Sequence, residues 1–322
     1  MTGPKWKIGR WLNKFGPLLG LAFVFTIFAL AQPHTFLSWG NLEVMLLQTT
    51  VVGAAALGMT LIIISGGIDL SVGSNIALCT VAVALLLQAG APPLLAAAGG
   101  VVAGSAVGFL IGGLITRLRL TPFIVTLGMW GAVRGLAKGM AGEQMVLAPD
   151  TWLNTLLTTI GADRRWMLLP SGVWLTLALA LLISGILRYT RFGRHVYAVG
   201  SNEQTARLCG IRVDRTKLFI YGIGGALAGI GGVLQFSYLT LGDPTTAIGL
   251  ELDVIAAVVI GGGSLSGGEG SVPGSIIGAL IMTVVANGCT KMGLDNWVQE
   301  IVTGGIIILA VALDQLRHRR NS

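Results

Sequence analysis

The sequence predicts an all-α polytopic membrane protein. Hydrophobic residues make up 53% of the 322 residues, charged residues only 11%, and the mean hydropathy is +0.80. Ordinary soluble domains carry about 25% charged residues, so a soluble chain of this composition could not cover its surface with polar groups. Glycine contributes 48 residues, which is typical of membrane helices because glycine lets helix backbones approach each other closely.

Long uncharged runs set the number of spans. A spanning helix needs about 20 apolar residues, so the uncharged run 70–116 must hold two spans, which the turn Gly90-Ala91-Pro92-Pro93 separates. We predict about ten spans, at 16–36, 42–65, 71–89, 93–116, 122–140, 170–189, 218–241, 250–263, 272–290 and 297–313. The span at 250–263 is too short to cross about 30 Å of hydrocarbon as one straight helix, and we expect it to be broken or re-entrant.

The basic residues set the orientation of these spans. If the N-terminus is cytoplasmic, 16 of the 21 Lys and Arg residues fall in cytoplasmic segments, and seven of them lie in or just before the segment 190–217. The positive-inside rule therefore predicts that both termini are cytoplasmic and that 141–169 is a periplasmic loop. The net charge of +7 is then a topology signal, and no soluble basic domain is left to bind nucleic acid.

The segment 190–217 is a polar island between two apolar runs, and it carries the signals of a short helix. Ser201 and Gln204 match a capping box, and Glu203 falls in the first turn, where the helix dipole favours an anion. Gly210 follows the last turn, at the position of a left-handed C-cap. A compact capped helix on the cytoplasmic face of a membrane protein predicts a docking site for a soluble motor protein.

The segment 65–74 is a second candidate site, which joins two spans on the cytoplasmic side. Its glycines permit a tight break, and Asp69 or Ser71 is placed to cap the next helix. An acidic residue at a membrane helix junction is a functional candidate. We favour a capping role for Asp69, beside the partner-facing surface, over a direct role with a ligand or a proton.

Charged residues inside the spans are few. Arg134 lies late in the fifth span, Glu251 and Asp253 open the eighth, and Glu300 opens the tenth. Such charges are unfavourable in a membrane unless they are paired or hydrated. We expect them to pair with each other or to line the external mouth, since they cluster toward the external ends of their spans.

Catalytic and metal motifs are missing from the sequence. The three cysteines form no CxxC pair, and the three histidines form no HExxH array. The run Leu-Ser-Gly-Gly-Glu at 265–269 matches the signature of ABC ATPases, but the chain has no Gly-Lys dipeptide and therefore no Walker A loop. We interpret the match as chance, and we expect no catalytic residue, no metal site and an external energy source.

Four segments together resemble the permease subunit of ribose-type ABC sugar importers, within the binding-protein-dependent permease family. They are SGGIDLSVGS at 65–74, TRFG at 190–193 with YAVG at 197–200, NEQTARLCGI at 202–211, and ELDVIAAVVIGGGSLSGGEG at 251–270. The resemblance runs over nearly the whole chain. It implies one transmembrane permease domain over 1–322 in the bacterial inner membrane, which moves a monosaccharide or related polyol and is not an enzyme.

The resemblance also implies the partners and the site. A second permease copy (the same chain or a close paralogue), two cytoplasmic ATPase subunits, which would hold the ATP and Mg, and a periplasmic sugar-binding protein are expected. The implied coupling residues are Arg191, Gly193, Arg194, Ser201, Glu203, Ala206, Arg207, Gly210 and Ile211, and the junction residues are Gly66, Gly67, Asp69, Ser71 and Gly73. The three arginines either anchor acidic patches on the ATPase or only enforce the topology. The chain departs from the usual Ala-rich pattern at Gln204 and Thr205. Nothing in the sequence indicates the substrate-contacting residues.

Other functional classes stay open at this point. A proton- or sodium-coupled secondary transporter would work without an ATPase, and a passive channel would conduct solute alone. An ABC permease for a non-sugar solute, such as a nucleoside, is also compatible with the sequence. The capped basic helix favours an ATPase-driven protein, because neither a secondary transporter nor a channel needs a docking site for a motor protein.

Overall fold

The computed structural model describes residues 5–160 and 167–319, and most of this part of the chain is helical. The α-helices are α1 (Lys5–Ala31), α2 (Pro33–Phe36), α3 (Trp39–Ile64), α4 (Val72–Gln88), α5 (Pro93–Arg117), α6 (Pro122–Met140), α7 (Ser171–Tyr189), α8 (Arg191–Ser201), α9 (Glu203–Leu208), α10 (Val213–Leu239), α11 (Leu250–Ile260), α12 (Val272–Lys291) and α13 (Asn296–Arg319). A short 3₁₀ helix covers Trp152–Thr155. Two short antiparallel strands, β1 (Val146–Leu147) and β2 (Leu241–Gly242), pair with each other.

Five helices are long and apolar enough to cross a membrane, namely α3, α5, α7, α10 and α12. Shorter apolar helices lie at Gly16–Ala31, Val72–Gln88 and Asn296–Ala312. The prediction of an all-α polytopic membrane protein is therefore confirmed. The short segment predicted at 250–263 corresponds to α11, whose 11 residues extend only about 16 Å.

Helices α5 and α10 pack closely because each presents a row of glycines. On α5 these residues recur every four positions, at Gly100, Gly104, Gly108 and Gly112, so they share one helix face. A methyl group on Gly104 would lie 2.6 Å from the carbonyl oxygen of Gly225 on α10. Close backbone contact of this kind drives helix association in membranes, where there is little hydrophobic gain.

Buried polar side chains join α3 to α12. Asn41 and Asn287 exchange amide hydrogen bonds of 2.9 and 3.1 Å. Near the C-terminal end of α3, the Thr60 hydroxyl donates to Ser275 Oγ over 2.7 Å. These bonds fix the register of two helices that otherwise contact each other through apolar side chains.

The bundle has two distinct ends. The basic end carries α8 and α9, and the strand end carries β1 and β2. Two helical breaks, 65–71 and 243–249, enter the bundle between these ends. The Ser74 hydroxyl donates to the carbonyl oxygen of Trp130, eight residues into α6, so α4 begins about 12 Å inside the bundle.

The second break runs inward from the strand end, beside α4. Thr80 Oγ1 donates to the carbonyl oxygen of Asp243 over 3.3 Å, and Ala247 lies against Gly73 near the start of α4. Seven residues of helix separate Thr80 from Gly73, so the break descends about 10 Å along α4. Irregular backbone at this depth is tolerated only inside protein or beside a cavity.

Candidate functional site

Helix α9 begins one residue later than the sequence predicts. Its N-cap is Asn202, which has an extended backbone (φ −160°, ψ 107°) and whose Oδ1 accepts from the Thr205 amide over 2.8 Å. Ser201 is the last residue of α8, so its backbone is helical and cannot adopt the extended N-cap conformation. The predicted capping box of Ser201 and Gln204 is therefore wrong, although Glu203 does occupy the first turn.

The predicted C-cap of α9 is confirmed. Gly210 has a φ of +82°, in the left-handed region. The Ile211 amide donates to the carbonyl oxygen of Ala206, and the Gly210 amide donates to that of Arg207, each over 3.0 Å. This pair of bonds is the Schellman motif, which satisfies carbonyl groups that a helix end would leave unpaired.

An ion-pair network joins α9 to the first turns of α10. Glu203 bonds to Arg207 over 3.0 Å and to Lys217 over 2.6 Å, and Arg207 also bonds to Asp214 over 2.6 Å. Partial burial alone would raise the pKa of Glu203, but the bonds from Lys217 and Arg207 outweigh it and hold that pKa below its usual value. The network therefore anchors α9 to α10 and leaves Glu203 little capacity to bind a partner.

The other predicted coupling residues form an exposed and a buried set. Arg191, Arg194, Ser201, Arg207 and Gly210 are exposed, Glu203 and Ile211 are half-buried, and Gly193 and Ala206 are buried. Ala206 packs with Val199 and Val213, which fixes one face of α9 against α8 and α10. Sequence reasoning missed Leu208, which is 88% exposed at the end of α9. The available signal was an apolar side chain just before the glycine cap of a polar helix.

A cavity of about 570 Å³ opens beside this network at the basic end. It lies between α9, the start of α10 and the loop that joins α5 to α6, and its charged lining residues are Arg119, Glu203, Arg207, Asp214 and Lys217. The exposed thiol of Cys209 lies next to this region, at the end of α9, whereas Cys79 and Cys289 are buried. In the described ranges, no group of three His, Cys, Asp or Glu side chains could hold a metal ion.

Three of the sequence motifs meet in one contact between backbones, the glycine hub, which consists of Gly66, Gly200, Gly267 and Gly268. The Gly268 amide donates to the carbonyl oxygen of Ile64 over 2.8 Å, so the loop after α11 bonds to the end of α3. A side chain on Gly200 would overlap that same carbonyl oxygen. The glycines of the run 265–269 thus serve a contact between helix ends.

A tyrosine hydrogen bond supports the glycine hub from α8. Tyr197 Oη donates to the carbonyl oxygen of Gly270 over 2.9 Å. The hub therefore connects α8, which immediately precedes α9, to α3 and to the loop between α11 and α12.

The structure corrects the prediction for the junction 65–74. Asp69 Oδ1 accepts from the Ser71 amide over 2.8 Å and from the Ser71 hydroxyl over 2.6 Å, which forms an Asx turn. Neither side chain caps α4, because the Asx turn engages both. Asp69 is 6% exposed, so it faces the bundle interior and not a partner.

Close contacts explain the glycines of this junction. The Tyr221 hydroxyl lies against Gly67, and the carbonyl oxygen of Ala247 lies against Gly73. Gly66, by contrast, is exposed and has a φ of +79°, in the left-handed region.

The break at 243–249 repeats the turn chemistry of the first break. Asp243 Oδ1 accepts from the Thr245 amide over 2.8 Å and from the Thr245 hydroxyl over 2.7 Å. Each break therefore has an Asp-x-Ser/Thr turn, and the second break contacts the start of α4, just after the first break, where Ala247 lies against Gly73.

Two charged residues lie at this meeting point. Arg134 Nη1 donates to the carbonyl oxygens of Pro244 and Thr246, and Glu251 Oε1 accepts from Trp130 Nε1 over 3.1 Å. Both charged residues are buried, and among the described residues they bond to Trp130 and to backbone carbonyls and not to each other. Neither predicted alternative, mutual pairing or lining of the external mouth, is therefore found for these two residues. Backbone carbonyls, which the sequence does not reveal, supply the hydrogen bonds of Arg134.

The comparisons with known proteins agree over nearly the whole chain. Residues 41–311 match the family described as "Branched-chain amino acid transport system / permease component". The chain is 36% identical over 314 residues to the ribose import permease protein RbsC of Escherichia coli (strain K12). The alignment covers 98% of this chain and 97% of that protein.

Two further relatives are similarly close. The chain is 38% identical over 305 residues to the ribose import permease protein RbsC of Bacillus subtilis (strain 168), with coverage of 94% and 93%. It is 35% identical over 320 residues to the L-arabinose ABC transporter permease protein AraH of Azospirillum brasilense, with coverage of 99% and 91%. No solved structure matches the chain at a significant level. The chain therefore belongs to this permease family, as a multi-pass, non-catalytic component of an ABC transporter in the bacterial inner membrane.

Proposed function

We propose that this chain is the transmembrane subunit of an ATP-driven importer for a monosaccharide or a related small polyol. The observation that carries the proposal is the near-complete coverage of permeases named for ribose and L-arabinose. A permease named for D-allose is 34% identical over 94% of this chain. The family description names branched-chain amino acids, so an amino acid is the second candidate for the solute.

The proposed topology has ten spans, with the basic end in the cytoplasm and the strand end outside. A described helix overlaps each of the ten predicted spans, and α11, with 11 residues, is the shortest of these helices. Arg191, Arg194, Arg207, Arg212 and Arg215 all lie at the basic end, as the positive-inside rule requires of a cytoplasmic surface. The loop 141–169 is then periplasmic.

The proposed partners follow from this topology. An ATPase, which holds the ATP and Mg, docks at the basic end, and a periplasmic binding protein delivers solute at the strand end. A second permease copy, identical or paralogous, packs on exposed apolar residues of α6 and α13, which include Phe123, Ile124, Leu127, Ile301 and Ile308. No cofactor is assigned to this chain.

The proposed coupling uses the connections at the basic end. Leu208, Arg191 and Arg194 are exposed and would contact the ATPase. The ion pairs of Glu203 make α9 move with α10, and the glycine hub connects α8 to α3 and to the loop after α11. Closure of the ATPases would then shift these elements as rigid bodies and switch the access of the pathway.

Reconstituted transport tests the proposal. The chain, its ATPase and its binding protein in proteoliposomes are expected to accumulate a labelled monosaccharide with ATP, in the presence of a protonophore. If leucine accumulates and the monosaccharide does not, the transported solute is an amino acid. Uptake that persists without the ATPase and collapses with the protonophore would identify a secondary transporter.

Leu208 tests the proposed contact with the ATPase. Leu208→Asp places a charge on an apolar contact, so we expect at least about tenfold less ATPase to co-purify in mild detergent. The control is Leu208→Met, which keeps the contact apolar and is expected to retain the ATPase. Equal recovery of ATPase with Leu208→Asp and with wild type would contradict the contact.

A further inference from the structure

Arg134 holds hydrogen-bonding capacity that its surroundings do not use. Its Nη1 donates to Pro244 O over 2.9 Å and to Thr246 O over 2.6 Å. Its Nε and Nη2 have no hydrogen-bond partner among the described residues, although the side chain is only 7% exposed. Burying a guanidinium without its full set of acceptors costs free energy. These N–H groups are therefore available to bind another ligand.

Glu251 repeats the pattern with acceptor groups. Its Oε1 accepts from Trp130, whereas its Oε2 is buried and meets no donor within the described part of the chain. The meeting point therefore offers free N–H donors and a free carboxylate acceptor, held by α6 and by the start of α11.

Trp130 adds an apolar surface to these polar groups. It lies one helical turn before Arg134, so both side chains share a face of α6. Its ring is 37% exposed while its N–H is bonded to Glu251. A sugar presents hydroxyl groups at its edge and C–H groups on its faces, and this combination of donors, acceptor and aromatic face is complementary to both.

The architecture places these residues where a solute could pass. The second break meets the start of α4 at Gly73, just after the first break, and α11 is a half-length helix whose N-terminus lies at that meeting point. In membrane transporters, discontinuous helices of this kind form solute sites near the centre of the bilayer. The neighbouring charges have both signs, which favours a neutral solute over an ion.

We infer that Arg134, Glu251 and Trp130 form a subsite for the vicinal hydroxyl groups of a neutral polyol as it crosses the membrane. This inference rests on the proposed function, because only a transporter of such a solute would use it. The subsite is closed in this structure, since Arg134 and Glu251 are buried beneath the second break. Movement of that break away from α6 would uncover the unpaired groups.

A comparison of a sugar with its deoxy analogue tests the subsite. Wild type, Glu251→Gln and Trp130→Phe are reconstituted with the same ATPase and binding protein, and the binding protein is saturated with ribose or with a deoxyribose. Both solute uptake and ATP hydrolysis are measured. Because one binding protein is used throughout, its own preference cancels when the uptake ratios of two permeases are compared.

We expect wild type to take up ribose faster than the deoxy analogue, and Glu251→Gln to reduce that ratio by about tenfold, as loss of a hydrogen bond to a charged group predicts. ATP hydrolysis stimulated by the loaded binding protein should fall less than ribose uptake does. Trp130→Phe keeps the ring and should lower the ratio less. Glu43→Gln is the matched control, because Glu43 bonds to the Ile160 amide away from the subsite, and its ratio should equal that of wild type.

Two outcomes would overturn the inference. If uptake and ATP hydrolysis fall together in Glu251→Gln while the ratio stays at the wild-type value, these residues only hold the break in place. If the ratio changes equally in Glu43→Gln, the effect is not local to the subsite. Failure of the wild-type protein to accumulate either sugar, by contrast, would contradict the proposed function before any variant is compared.

Discussion

At the residue scale, Lys217 and Glu203 show how one ion pair can fix the position of a docking helix. Lys217 is largely buried in the first turns of α10, and its ammonium group bonds to Glu203 Oε2 over 2.6 Å. Helix α9 has only six residues, so its own hydrogen bonds would not keep it folded in water. Its orientation therefore depends on this bond, on Arg207 and on the small apolar contact of Ala206.

Loss of the Lys217 ammonium should loosen α9. Lys217→Met keeps the aliphatic stem and removes the ion pair, so we expect faster amide hydrogen exchange in α9 and lower ATP-driven uptake, with unchanged insertion. Arg215→Met is the control, because Arg215 is exposed and bonds to no described residue of α9. Equal exchange in the two variants would show that the ion pair does not hold the helix.

The depressed pKa of Glu203 sets the pH dependence of this helix. A carboxylate with a lowered pKa stabilises the fold above its ordinary value of about 4.3, and the contribution is lost as the pH falls through the folded value. Protection of α9 should therefore stay constant between about pH 6 and pH 8, once exchange rates are corrected for intrinsic pH dependence, and fall only in acid. A midpoint near neutral pH would contradict the assignment.

Gly210 tests the C-cap of α9. A β-branched side chain at its φ of +82° is strained by about 1–3 kcal/mol, so Gly210→Val should disrupt the cap and abolish ATP-driven uptake while the protein still inserts. Gly210→Asn should retain most of the uptake, because asparagine tolerates the left-handed conformation. Wild-type uptake with Gly210→Val would show that the cap plays no part in coupling.

At the element scale, the glycine hub determines how α8 contacts the rest of the bundle. Its contacts are between backbones, so there is no side chain that could adjust its rotamer to absorb a change. A rigid contact of this kind can transmit a small displacement of α8 directly to the end of α3.

Gly200→Ala tests the hub. The added methyl group would overlap the carbonyl oxygen of Ile64, and overpacking of this kind destabilises by about 1–3 kcal/mol. We expect a lower midpoint of thermal unfolding in detergent and a larger loss of uptake than of ATP hydrolysis. Gly185→Ala is the control, since a methyl group there meets nothing within 4 Å. Unfolding and uptake equal to those of the control would contradict the hub.

The elements differ in how far the sequence could predict them. The long apolar helices and the Gly210 cap follow from local patterns of about ten to twenty residues, whereas α8 was not predicted. The N-cap at Asn202 could not be predicted from such a pattern, because Ser201 and Asn202 are both good N-cap residues. The position at which α8 ends decides between them. The depth of Asp69 and the partners of Arg134 depend on contacts between residues far apart in the chain, which no local pattern contains.

At the scale of the whole molecule, polar pairs and glycine rows add pairing specificity to an extensive apolar interior. The Asn41–Asn287 pair joins α3 to α12, while α5 and α10 meet through their backbones. Both devices specify which helices pair without relying on apolar burial, which lipid would satisfy equally well.

The asparagine pair predicts a non-additive response to mutation. Asn287→Leu leaves the Asn41 amide short of a partner and should lower the free energy of unfolding by about 1–3 kcal/mol. The double variant Asn41→Leu/Asn287→Leu removes both amides and should lose less than the single variant, as measured by thermal unfolding in detergent. A loss in the double variant equal to the sum of the losses in Asn41→Leu and Asn287→Leu would contradict the pairing.

The positions of the three thiols have a practical consequence for observing this molecule at work. A maleimide fluorophore applied to the folded wild-type protein should attach at Cys209, because Cys79 and Cys289 are shielded inside the bundle. The label would then lie at the end of α9, where a bound ATPase would reduce its exposure to solvent. Its emission would report each docking and release event in real time, on a chain whose sequence has not been altered.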